Sequence, residues 1–183
     1  MNTTPTIPNS AGQHPTRTAS QYPARGTRGL GLVLAGGLIA GALDLTFAFV
    51  FYGIQGATPL RILQFIASAV LDRASFQMGL ASAALGAFFH FFISVCAAAI
   101  YYLASLRFSF LTRRVALSGA IFGVLMFLAM HFIVVPLSAI KPAPIKISSV
   151  IGELCSHAFL FGMVIAYAVA RAKSFADRPV TVA

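Results

Sequence analysis

The stretch LGLVLAGGLIAGALDLTFAFVFYG, Leu30 to Gly53, decides the fold. Asp44 is its one charged residue. About 20 apolar residues at a rise of about 1.5 Å each cross the hydrocarbon of a bilayer. The run is longer than the 7–15 residues typical of a signal-peptide core. No small-residue cleavage site follows it. It therefore reads as a transmembrane helix. Within it, Gly37-Leu-Ile-Ala-Gly41 is a GxxxG, a spacing that lets another helix approach closely.

Upstream, residues 1–28 are rich in Pro, Thr, Ser and Gly; such a composition builds no core and predicts a disordered tail. Downstream, Thr58-Pro59 reads as a helix start, Thr capping and Pro at the first helical position. Arg61, Gln64, Ser68, Asp72 and Ser75 recur at steps of three and four, which gathers them on one face of an amphipathic helix over about 59–76. That helix is too polar to span. It is expected to lie at the membrane surface with its polar face to water, the competing reading being a lid with that face turned inward.

Three more spans follow at about 79–103, 115–137 and 149–170. The second opens with the small residues Gly79, Ser82, Ala83 and Gly86. The third contains a second GxxxG, Gly119 to Gly123, and ends near Pro136. Prolines in the loop from Lys141 to Lys146 stop the helix. The last residues, 174–183, form a short tail. The predicted fold class is all-α: a polytopic membrane protein with four transmembrane helices and one amphipathic helix on the periplasmic side.

Composition agrees. The 183 residues are 58% hydrophobic and 9% charged, with a mean hydropathy of +0.87. A soluble domain carries about 25% charged residues, so only lipid accounts for so much apolar surface. The formal charge of +9 does not imply nucleic acid. The basic residues flank the apolar runs, as the positive-inside rule expects. Nine Lys and Arg fall in the N-terminal tail, the 105–114 loop and the C-terminus from Arg171 onward; four fall in the 54–78 and 138–148 segments. The richer side is cytoplasmic, so both termini are expected inside, in a bacterial inner membrane. The lipid bilayer is the expected partner, nucleic acid is excluded, and a homo-oligomer is compatible with so small a bundle. Cys96 and Cys155 lie inside apolar segments at different depths and read as small buried hydrophobes.

Five side chains do not belong in lipid: Asp44, His90, His131, Glu153 and His157. Counted inward at 1.5 Å per residue, they lie roughly 6–17 Å below one membrane surface. Glu153 and His157, spaced i,i+4, share a helix face. Intramembrane acids and histidines mark proton or ion paths, or pair as structural glue. Histidine and carboxylate also suit a divalent metal, with His131, Glu153 and His157 as candidate ligands. No cofactor is assigned, a divalent metal or haem being compatible. Three readings stay open: a proton- or ion-handling protein, a scaffold whose polar residues only lock packing, and a metal- or haem-dependent membrane enzyme. No catalytic residue is assigned. Walker, GxGxxG, GxSxG and HExxH sequences are absent, and the aromatic residues, Tyr101 and Tyr102 among them, suit lipid or an interfacial belt.

From Met130-His131 through Pro136 to Pro144, and again at Gly152-Glu153-Leu-Cys-Ser-His157, the chain resembles the YagU-type bacterial inner-membrane proteins. The Gly37 to Gly41 stretch resembles them too. The resemblance covers most of the hydrophobic part. It implies a small helical inner-membrane protein of unestablished activity. It places His131 at the family's histidine before a proline-containing helix end, and Glu153 and His157 at its Glu-x-x-x-His. The first external segment is shorter here.

Overall fold

The computed structural model describes residues 25–139 and 146–176. Of the tail expected at 1–28, residues 1–24 lie outside the described residues, as do most of the proline-containing loop and the last seven residues, while residues 25–28 are not a tail but the first turn of a helix. Four helices are long and apolar enough to cross a membrane: Arg28–Gly53, Leu80–Arg107, Val115–Leu137 and Ile147–Phe175. The expected spans match them closely. The largest difference is at the last end, Phe175 instead of Ala170, because Lys173 continues the helix and reaches back to the bundle.

In chain order, α1 is Arg25–Gly53 and α2 is Pro59–Leu71, followed by a 3-10 turn at Asp72–Gln77. Next come α3, Leu80–Arg107, and a single turn, Phe110–Arg113. The fourth helix, α4, is Val115–Leu137, and widens into a π turn at Met130–Val134. The last, α5, runs from Ile147 to Ala176, with a π segment at Ser156–Gly162. Pro136 lacks an N–H and crowds the carbonyl four residues back, and the π turn of α4 lies directly ahead of it.

Glycine sets which helices touch. On one side of α1, a Cβ at Gly37 would lie 3.0 Å from the Ser94 carbonyl of α3. On another side, Gly36 abuts the Ala168 side chain of α5. Gly119 and Gly123 of α4 abut α5, where a Cβ on Gly123 would collide with the His157 backbone. Both GxxxG sequences are thus helix contacts, as their spacing predicts. Neighbouring spans run antiparallel. One end of the bundle holds the beginning of α1 and the end of α5; the other holds α2.

The half that holds the beginning of α1 and the end of α5 has a mostly apolar core. Val33, Ala40, Ala97, Ala98, Phe161, Ile165 and Val169 form its buried core. Tyr101 is buried there rather than in an interfacial belt. Its hydroxyl donates to the Leu111 carbonyl at 2.9 Å and lies 2.9 Å from the Ser118 hydroxyl. Lys173 donates to the Ser105 carbonyl at 2.7 Å, a cation at the C-terminal end of α3, where the helix dipole favours it.

The amphipathic helix departs from its expected pose. Thr58 caps it as predicted, accepting from the Arg61 N–H at 3.3 Å. Yet its polar face does not look outward as a whole: Gln64, Ser68 and Ser75 are buried against the bundle, and only Arg61 and Asp72 are exposed. The cause is local satisfaction. Ser68 donates to the Phe65 carbonyl and Ser75 to the Asp72 carbonyl, so to a neighbour both behave as small, nearly apolar groups. Gln64 donates to the Gly79 carbonyl at 3.1 Å. Gly86 lets the Leu63 backbone lie directly on α3.

Candidate functional site

The five intramembrane polar residues do not form one cluster. They resolve into two acid–histidine pairs and one separate histidine.

The outer pair joins α1, α4 and α5. The Tyr52 hydroxyl donates to Glu153 Oε1. His131 Nδ1 lies 3.9 Å from Glu153 Oε2, an ion-pair distance rather than a hydrogen bond. Ser149 also hydrogen-bonds Tyr52. Gly152 leaves room for the Phe51 ring, which would meet a Cβ there at 2.9 Å. Phe51 in turn stacks on Phe47 at 5.3 Å between centroids. A wall of aromatic rings thus flanks the carboxylate on the α1 side.

The inner pair lies deeper and joins α1 to α5. Ser156 Oγ donates to Asp44 Oδ1 at 2.6 Å, and His157 Nδ1 lies 3.7 Å from the same oxygen. His157 Nδ1 also lies 2.9 Å from the Glu153 carbonyl. A carbonyl only accepts, so Nδ1 carries the hydrogen and the lone pair of neutral His157 sits on Nε2. One residue, Glu153, therefore serves both pairs: its side chain holds Tyr52 and faces His131, and its backbone fixes the tautomer of His157.

Each histidine of the two pairs sits in a π segment, His131 in Met130–Val134 and His157 in Ser156–Gly162. Such single-turn irregularities recur at functional sites in helices. Phe127 fills the space between the two imidazoles, with centroid distances of 4.9 Å to His131 and 5.9 Å to His157. The candidate metal ligands His131, Glu153 and His157 do not close on one point: His131 faces the Glu153 carboxylate, whereas His157 faces Asp44. Among the described residues no three His, Cys, Asp or Glu side chains group closely enough to hold a metal ion. A divalent metal held jointly by His131, Glu153 and His157 therefore finds no fitting ligand set among the described residues.

Exposure grades inward. The side chains of His131 and Glu153 are 34% and 30% exposed, and those of His157 and Asp44 are 19% and 13% exposed. The outer pair is the one that meets the surroundings.

His90 stands apart. Its Nε2 donates to the Gly41 carbonyl at 2.8 Å. Ser94 donates to the His90 carbonyl at 2.8 Å and packs on Gly41. His90 meets no acid, and it clamps α3 to the GxxxG face of α1. Cys96 is half-buried and Cys155 exposed, and both are free.

Tyr52, Ser156 and Phe127 were not singled out in the sequence. Position hints at Tyr52, which lies one residue from the end of the first span, at the same end of the bundle as the start of the span that carries Glu153. Ser156 adjoins His157 directly. Nothing in the sequence distinguishes Phe127 from the many other phenylalanines.

Compared with protein-family models, with curated proteins and with solved structures, the chain matches none.

Proposed function

We propose that this chain is a small multi-pass protein of the bacterial inner membrane that binds and releases protons through its two acid–histidine pairs. One observation carries the reading: Glu153 engages both pairs at once, by its carboxylate and by its backbone carbonyl. Acids and imidazoles at such spacing exchange protons readily, and intramembrane acid–histidine chains serve proton relays. The graded exposure supports entry through Glu153 and His131, with Asp44 and His157 behind them. The half beyond them holds no acid or histidine in its buried core, Tyr101 being the one titratable side chain of that cluster, which supports exchange with one membrane face. The excess of Lys and Arg near the termini favours a cytoplasmic location for both ends and a periplasmic opening for the site. Resemblance to the YagU-type proteins rests on His131, Glu153 and His157, residues of these same two pairs.

The test is an infrared titration of the purified protein in lipid. Acidification should raise a carboxylic-acid carbonyl band that shrinks in Glu153→Gln and in Asp44→Asn. Bands identical in wild type and both variants would remove these acids from any proton chemistry.

A scaffold is the second reading. Among the described residues no buried polar side-chain atom lacks a hydrogen-bond partner, as a purely structural network requires. Under it, both variants leave the titration unchanged while Gly123→Leu disrupts the bundle.

A further inference from the structure

We infer that the outward side of α2, together with Arg61 and Arg73, binds an anionic phospholipid. The chain reverses at Asp72, where φ is 51°, and the 3-10 turn doubles back along α2. That reversal brings the Phe76 ring beneath Arg61, whose guanidinium carbon lies 4.7 Å from the ring centroid. Arg73 precedes Phe76 by three residues in the same turn. Side chains at that spacing eclipse in a 3-10 helix and lie about 6 Å apart along its axis. Arg61 thus rests on the Phe76 ring, Arg73 belongs to the same turn as that ring, and both arginines are exposed. Neither forms an ion pair with a carboxylate among the described residues, the neighbouring Asp72 included.

The surface beside them is apolar. With Gln64, Ser68 and Ser75 turned inward, the outward side of α2 presents Phe65, 51% exposed, and Val70, 63% exposed. Leu80, which opens α3, is 80% exposed. At 13 residues α2 is too short to cross a bilayer, yet water is a poor neighbour for this surface. Its height settles what covers it. The surface lies where α1 ends and α3 begins, at the edge of the hydrocarbon. Acyl chains cover Phe65 and Val70, and a phosphodiester headgroup meets Arg61 and Arg73. Arginine forks match phosphate oxygens in geometry as well as charge. The inference holds whichever leaflet this end occupies and does not depend on proton binding.

The full-length protein in mild detergent should retain phosphatidylglycerol in native mass spectrometry and melt at a higher temperature with it. Phosphatidylcholine and inorganic phosphate should do neither. Arg61→Gln with Arg73→Gln should weaken phosphatidylglycerol binding about thirtyfold, roughly fivefold per basic residue at an anionic surface. The charge-matched pair Arg113→Gln with Arg114→Gln, at the opposite end, should leave it unchanged. The inference is overturned if phosphatidylcholine is retained equally, if the Arg61/Arg73 variant binds as well as wild type, or if the Arg113/Arg114 variant loses as much. Stabilisation by inorganic phosphate alone would also overturn it, showing a free-anion site in place of a lipid site.

Discussion

The carbonyl oxygen of Glu153 accepts the Nδ1–H of His157 at 2.9 Å, so the acid facing one histidine fixes the tautomer of the other. In neutral His157 the proton-accepting atom is Nε2. In His90 the assignment reverses, because Nε2 donates to Gly41 and leaves Nδ1 free.

Nitrogen-15 NMR of histidine-labelled protein checks this directly. At high pH, His157 should show a protonated Nδ1 and His90 a protonated Nε2. Asp44→Asn should leave the His157 tautomer unchanged, since the carbonyl holds it. A His157 protonated on Nε2 would contradict the arrangement.

Gly123 presses on the backbone of His157. Gly123→Ala should therefore destabilise the bundle by about 1–3 kcal/mol, the usual cost of overpacking. Gly31 and Gly53 have nothing within 4 Å of an added Cβ. There the same change should be neutral, or stabilising by about 0.5–1 kcal/mol through helix propensity. Reversible unfolding in mixed micelles would measure both. Equal effects at Gly123 and Gly31 would deny the contact its role.

Tyr52→Phe removes the hydroxyl that donates to Glu153. A hydrogen bond to a charged group contributes about 1.5–3 kcal/mol, and partial exposure lowers the expected loss to about 1–2 kcal/mol. The infrared band assigned to Glu153 should move in this variant. His90→Ala should cost a similar amount of stability and leave that band in place, because His90 touches no acid.

Orientation is open to a labelling experiment. With both native cysteines replaced by alanine, Gln55→Cys should react with a membrane-impermeant maleimide added to intact cells. Ser109→Cys should react only after the cells are opened. The reverse pattern would invert the bundle and place the acid–histidine pairs toward the cytoplasm.

The spans were legible because length and hydropathy leave a bilayer-crossing helix few alternatives, as the run from Leu30 to Gly53 illustrates. The glycine contacts were legible because GxxxG has a steric meaning independent of the partner. The direction of α2 was not. Ser68 and Ser75 count as polar in a sequence, but once each bonds a carbonyl of its own helical turn they pack like small apolar groups. The depth count gathers five residues, Asp44, His90, His131, Glu153 and His157, in one half of the bundle. It could not separate them into pairs, because rotation about each helix axis is set by packing. The Phe127 ring, which lies between the His131 and His157 imidazoles, carries no mark in the sequence.

The partnership of α1 with α5 also has a consequence for how the protein is made. Asp44 enters the membrane with the first helix, but Ser156, its hydrogen-bond donor, lies 112 residues later. At a synthesis rate of about 5–20 residues per second, Asp44 waits on the order of 10 s for that donor. An unpartnered aspartate near the centre of a membrane helix costs about 2.5–3.5 kcal/mol on insertion scales. The nascent first helix must therefore be held at the insertion machinery, or keep Asp44 hydrated, until the final helix emerges and closes the bundle.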